Sequence, residues 1–245
     1  MFSRGKGPLV SVLLPTRGRP KWLAECVDSL YSLAKNPREL EFLFKVDTDD
    51  TETQGTVLGL AKMLPARVII SPRGRGYLDL HEYVNALSAA ATGDWLFIFN
   101  DDARMLTQDW DEVIRTADPT KIPKWGGSDE VALLAPQVRE RDTSWEFPIL
   151  RRRTYQILGH FSRHLSSDSW IYWVMSGLDA AISLSQIEVT HFVNDVQDQV
   201  NKEGRAAIQA EMPDLSTPEL KRLQELDRSV IRQYMTKRDR RIFVS

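Results

Sequence analysis

The sequence predicts an α/β fold: a mostly parallel sheet flanked by helices, with a helical extension at the C-terminal end. Three observations carry the prediction. Short apolar runs at 9–14, 40–46, 67–70 and 95–99 alternate with segments of helical periodicity. That βαβαβαβ order implies right-handed crossovers and parallel pairing. Each run ends in a polar or proline-bearing cluster, as buried strands do where the chain leaves the sheet.

The elements follow in order. Leu9 to Leu14 is a β-branched and leucine run ended by Pro15, a first strand. Pro20 suits the first turn of a helix, and Trp22, Leu23, Cys26, Val27, Leu30 and Leu33 keep helical spacing up to Asn36-Pro37. Leu40 to Val46 is a second strand ending at Asp47, and Thr53 to Leu64 a helix stopped by Pro65. Arg67 to Ile70 is a third strand, closed by Ser71-Pro72. Gly74 and Gly76 make a turn, and Tyr77 to Ala91 is a helix closed by Thr92-Gly93.

The second half is less regular. Val131 to Ala135 reads as a strand before Pro136. Thr143 to Leu150 reads as an edge strand, because Pro148 cannot donate to a ladder. Asp168 to Leu178 reads as a helix, and Ile187 to Phe192 as a strand carrying His191 at its end. In a parallel placement His191 shares an edge with the first-half strand ends. Ser216-Thr217-Pro218-Glu219 opens a long helix with Leu220, Leu223, Leu226, Val230, Ile231 and Tyr234 on one face.

Composition bounds the function. The chain has 245 residues, 42% hydrophobic and 27% charged, ordinary for a globular enzyme. A net charge of -2 gives no global field for nucleic acid. The single cysteine, Cys26, excludes an intramolecular disulfide and sits in a helical pattern as packing. No apolar run is long enough to span a membrane, and the first residues lack a signal core. The expectation is a cytoplasmic enzyme.

Four strand ends carry polar groups: Thr16-Arg17-Gly18-Arg19, Asp47-Thr48-Asp49-Asp50, Ser71 to Gly76, and Asn100-Asp101-Asp102. In a parallel sheet these ends share one edge, where ligands bind. Adjacent carboxylates at Asp101 and Asp102 repel unless a cation offsets them, and hard oxygen ligands suit Mg2+ or Mn2+. Arginines such as Arg73 bind phosphate through a planar fork. Together the set suits a diphosphate held with a metal.

Val10 to Arg17, the helix from Pro20 to Leu30, Phe44 to Asp50, Gly76 with Asn85-Ala86, and Asn100-Asp101-Asp102 are similar, as an ordered set, to the GT-A fold nucleotide-sugar glycosyltransferases, especially family 2. The resemblance covers roughly residues 8–105 and implies a donor that is a nucleoside-diphosphate sugar. It implies that Thr16 and Asp47 contact the nucleoside, with Arg17, Arg19, Arg73 and Gly76 near it or its diphosphate. Asp101 holds the ribose or sugar, and Asp102 the metal. A late histidine, His191, completes the metal site and favours Mn2+ over Mg2+. An inverting transfer needs a base, and Asp168 is the candidate, with Asp179 and Asp195 as runners-up. The bland role for Asp168 is capping its own helix.

Two departures stand out. The second strand ends Val46-Asp47-Thr48-Asp49-Asp50 where the family commonly has Val-Asp-Asp-Gly-Ser, and the metal motif opens on Asn100. The resemblance implies a GT-A-like catalytic domain over residues 1–201, split into a nucleotide-sugar half at 8–105 and an acceptor-side half at 106–201. An extension follows at 202–245, with 202–217 as a linker.

The acceptor is open: a glycan, a lipid-linked sugar, a protein or a nucleic acid. Trp145, Trp170 and Trp173 are candidates to stack on an acceptor sugar, and Arg151-Arg152-Arg153 to bind an anionic one. Two rival functions remain. One is a haloacid dehalogenase-type phosphatase using Asp47 and Asp49. The other is a non-catalytic glycan- or partner-binding protein on the same fold.

Overall fold

A computed structural model describes residues 7–117, 130–139, 145–192 and 215–242, with single positions at 202, 204, 206 and 209. The strands are β1 (Val10–Pro15), β2 (Leu40–Asp47), β3 (Ala66–Ser71), β4 (Trp95–Ile98), β5 (Ala103–Met105), β6 (Leu133–Val138), β7 (Ile149–Arg151) and β8 (Ala181–His191). The helices described are α1 (Pro20–Ser32), α2 (Thr51–Leu60), α3 (Leu80–Ala90), α4 (Trp110–Thr116), α5 (Arg152–Leu158), α6 (Ser167–Ser176) and α7 (Pro218–Ile242). Among the described residues no helix is long and apolar enough to cross a membrane.

The strands form one sheet in the order β3-β2-β1-β4-β7-β6-β8-β5. The first four pair in parallel, as the βαβ pattern requires. Beyond β4 the sheet is mixed. β7 lies antiparallel between β4 and β6, and β8 pairs parallel with β6 and antiparallel with β5. Two reversals through β7 leave β6 and β8 running in the same direction as β4.

Alternation along the strands builds a core on each face. Val12, Leu14, Phe42, Phe44 and Phe97 pack with Leu23, Val27 and Leu30 of α1 and Trp110 of α4. Leu13, Leu43, Leu96 and Ile98 pack on the other face with α3, with Trp170 and Val174 of α6, and with Ile231 of α7. Phe97 is fully buried against Phe99 and Trp110, so Phe97→Ala costs about 3–5 kcal/mol.

Several expectations change. β7 is not an edge strand: Pro148 sits just before it and needs only its carbonyl, which accepts from the Ile98 N–H at 3.3 Å. Pro136 does not end β6 but lies beside a register shift within it. The helix expected from Tyr77 begins as a 3-10 turn, Gly76–Asp79, and becomes α-helical at Leu80. β5, α4 and α5 were not expected. Two members of the basic triplet meet aromatic rings: Arg151 lies over the Trp95 ring, and Arg153 lies over Tyr234 of α7 and donates to its hydroxyl. The expected linker falls largely outside the described residues; positions 202, 204, 206 and 209 within it are helical.

Candidate active site

The carboxyl ends of β1, β2 and β4 open into a cavity of about 450 Å³. Thr16, Arg17, Arg19, Asp47, Arg73, Gly76, Asp101, Asp102 and His191 all line it. Lys45, Tyr83 and Gly204 line it too, and sequence reasoning did not single them out.

The carboxylate pair is set by a turn. After β4, the Ala103 N–H closes on the Asn100 carbonyl at 3.1 Å and the chain reverses into β5. Both aspartates are thereby buried at the strand end. β5 pairs Ala103 with His191, and the Phe192 N–H donates to the Asp102 carbonyl at 2.9 Å. That register brings His191 Nε2 to 3.2 Å from Asp102 Oδ1. His191 therefore reaches the edge through an antiparallel partner, although its strand runs in the direction of β4.

The charges are tightly coupled. Asp101 accepts from Thr16 Oγ1 at 2.7 Å and from Arg19 Nη1 at 2.9 Å. The same Arg19 nitrogen lies 3.2 Å from Asp102 Oδ2. Burial pushes Asp101 up to about 6, with Arg19 opposing and Asp102 adding to the rise. Asp102 is held below its ordinary value: burial raises it, but the His191 hydrogen bond and charge and Arg19 outweigh that. On the far side of the ring, His191 Nδ1 lies 2.8 Å from Glu146 Oε2. Burial disfavours the imidazolium, yet Asp102 and Glu146 together raise it to about 9. Glu146 gave no signal in sequence; only the fold brings it here.

The other end of the cavity is built around Asp47. Asp47 is bonded by buried Lys45 on one oxygen and by Arg17 on the other, the latter at 2.8 Å. Lys45 Nζ also sits 3.6 Å from the centre of the Tyr83 ring. Burial lifts the Tyr83 hydroxyl to about 12, so it stays protonated and donates to the Arg73 carbonyl. The loop folds back there, with the Gly76 N–H on the Arg73 carbonyl at 3.0 Å. Gly76 has φ +66, and an added Cβ would meet Arg73 Nε at 3.1 Å, so glycine is required. The aspartates after β2 divide their tasks. Asp49 pairs with Arg17 at 2.6 Å, and Asp50 caps α2 at Thr53 and accepts from the Gly18 N–H.

Asp168 does not line the cavity walls. It is not a cap either: the N-cap of α6 is Ser166, and Asp168 is the second helical residue, accepting from its neighbour Ser169. Burial pushes it up to about 6, and the charge of Glu146 adds to the rise. Asp179 is an exposed turn residue at φ 54 before β8. It lies at the opposite end of that strand from His191, about 30 Å away at the usual rise per residue. Asp195 lies outside the described residues. Trp170 is fully buried with Nε1 on Asp227 at 3.2 Å, so it is core rather than an acceptor platform. Trp145 and Trp173 are exposed.

The donor set fits a divalent metal that keeps outside ligands. Asp102 offers a carboxylate oxygen and His191 an imidazole nitrogen, side by side on the cavity wall, a pairing that suits Mn2+. Glu146 on Nδ1 fixes the ring as carboxylates do behind ligating histidines. Among the described residues no three acidic, histidine or cysteine side chains form a metal cluster, so further ligands would come from substrate oxygens and water.

The comparisons agree with this architecture. A mannosyltransferase, PcManGT from Pyrobaculum calidifontis, solved with GDP-Man and Mn2+, superposes with a TM-score of 0.61 at 18% identity. The match covers 92% of this chain and 70% of that one. S. aureus TarS residues 1–349, solved with UDP, matches with a TM-score of 0.58 at 14% identity, over 84% of this chain and 67% of that one. The same TarS fragment with UDP-GlcNAc gives 0.61 at 13% identity, over 89% and 66%. These likenesses show the GT-A fold. No curated protein matches by sequence. The model of Glycosyl transferase family 2 matches residues 11–173, which contain the carboxylate turn, Asp47, Glu146 and Asp168. That match covers most of the chain and displaces the phosphatase reading: this protein is a glycosyltransferase and belongs to family 2.

Proposed function

We propose that the enzyme transfers a hexosyl unit from a nucleoside-diphosphate sugar to an acceptor hydroxyl, with a divalent metal and with inversion at the sugar carbon. The observation that carries this reading is the two-ended cavity. One end holds Asp47, Lys45 and Tyr83; the other holds Asp101, Asp102, Arg19 and His191. Nucleotide sugars in the solved structures of similar fold support the same donor class.

In this reading Asp47 and Thr16 bind the nucleoside, and Arg17, Arg19 and Arg73 face the diphosphate. Asp101 bonds the ribose or sugar. Asp102 and His191 would hold Mn2+ or Mg2+. The metal, when bound, neutralises charge on the departing diphosphate. Asp168 takes the proton from the acceptor hydroxyl as its oxygen bonds to the anomeric carbon. The bond from that carbon to the diphosphate oxygen breaks, and the electron pair leaves with the diphosphate. A base with a value near 6 is ionised at neutral pH yet basic enough to assist. The catalytic unit is residues 1–201, and the 202–245 extension adds Gly204 to the wall of its cavity.

Calorimetry and thermal shift with UDP- and GDP-sugars, each with and without Mn2+, test the proposal. The expected result is donor binding strengthened by metal, with slow release of nucleoside diphosphate. Absence of donor binding under all these conditions would overturn it.

A further inference from the structure

We infer that Trp145 and Tyr172 form the acceptor platform and that it takes the pyranose ring of a neutral saccharide. The inference rests on the transferase reading above and specifies its acceptor. Trp145 is 36% exposed at the cavity side of the sheet, one residue before Glu146, which holds His191. Tyr172 is partly exposed, and its ring centre lies 6.2 Å from that of Trp145 at 45°. It stands four residues after Asp168 on α6, and residues at that spacing share a helix face. The proposed base and one wall of the platform are thus presented together.

The chemistry of the surroundings selects the ligand. A pyranose has an apolar C–H face and a rim of hydroxyls. Aromatic faces match the first; of the two carboxylates beside the platform, Asp168 is placed to accept from the second, while Glu146 is buried on His191. The same carboxylates repel phosphate-bearing acceptors, such as nucleic acid or a sugar phosphate. The basic triplet does not offset them, because β7 carries it to the opposite edge of the sheet, where Arg151 pairs with Trp95 at the start of β4. The other aromatic pair near His191, Trp22 with Phe192, has Arg104 over both rings.

The test uses the full chain with UDP or GDP and Mn2+. Saturation-transfer NMR is recorded with methyl pyranosides of glucose, galactose, mannose and N-acetylglucosamine. Glucose 6-phosphate, a single-stranded oligonucleotide and octyl pyranosides serve as comparators. At least one methyl pyranoside is expected to bind, with saturation concentrated on the C–H groups of one ring face. Trp145→Ala and Tyr172→Ala are each expected to weaken it about tenfold, the scale of one lost aromatic contact, while nucleotide affinity holds. Three results would overturn the inference: no methyl pyranoside binds, binding is unchanged in both variants, or only the phosphorylated or octyl ligands bind. Nucleotide affinity in the same samples separates this failure from failure of the donor reading, which would abolish nucleotide binding itself.

Discussion

Glu146 holds the Nδ1 side of the His191 ring at 2.8 Å and thereby aims the opposite nitrogen at Asp102. In the proposed metal site His191 would ligate through Nε2 while Nδ1 keeps its proton on Glu146.

Glu146→Gln should therefore weaken Mn2+ affinity in the presence of nucleotide by about 10–100-fold. Nucleotide binding without metal should be unchanged. Calorimetric titration of Mn2+ into each protein measures both. Equal metal affinity in the two proteins would remove the orienting role.

Asp102→Ala is expected to abolish the metal dependence of donor binding. The fold should survive, because Arg19 retains Asp101 as a partner at 2.9 Å. Titrations of nucleotide with and without Mn2+ should become superimposable. A persistent metal effect would assign the ion to other residues.

Asp47→Ala should weaken nucleotide binding and also cost stability. It leaves the ammonium of Lys45 buried without its carboxylate, a change that typically costs about 3–5 kcal/mol. Lys45→Met combined with Asp47→Ala should recover much of the stability and none of the nucleotide affinity. Urea denaturation and nucleotide titration of the two variants separate these effects.

Asp168 yields a pH prediction of fixed sign. Its folded value is raised from 3.8 to about 6, so the fold favours the neutral acid. That contribution to stability is fully present below the ordinary aspartate value and is lost as pH rises through about 6. Transfer has the opposite sign and should rise with pH through the same range, because only the carboxylate accepts a proton. Asp168→Asn should slow transfer by about 100-fold or more and raise stability at neutral pH by on the order of 1–3 kcal/mol. Slow transfer together with lowered stability would indicate a structural role instead.

The parallel half of the fold was legible because β1, β2 and β4 are buried on both faces and so read as near-continuous apolar runs. Its cavity residues were legible for the same reason: polar side chains at strand ends have one edge to face. Lys45 was missed although a signal existed. A lysine inside an apolar strand, two residues before an aspartate, shares a face with it, and that pairing is what neutralises it. β5 was missed because three residues hold no pattern, and its pairing with β8 lies far along the chain. α5 was hidden by the arginines at its start, Arg152 and Arg153, of which Arg153 lies over the Tyr234 ring of α7. Glu146 has no local signature, and its function comes only from the register that brings His191 beside Asp102.

The pairing of Ala103 with His191 also sets a timetable for the newborn chain. Thr16 waits for Asp101, 85 positions later, and Asp102 waits for His191, 89 positions further on. During synthesis the acidic turn therefore leaves the ribosome well before its imidazole partner exists. Until β8 emerges and threads between β6 and β5, Asp102 has no histidine beside it. In the proposed metal site, capture waits for β8, and a chain halted before His191 would carry Asp47 and Asp102 with no imidazole beside the carboxylates.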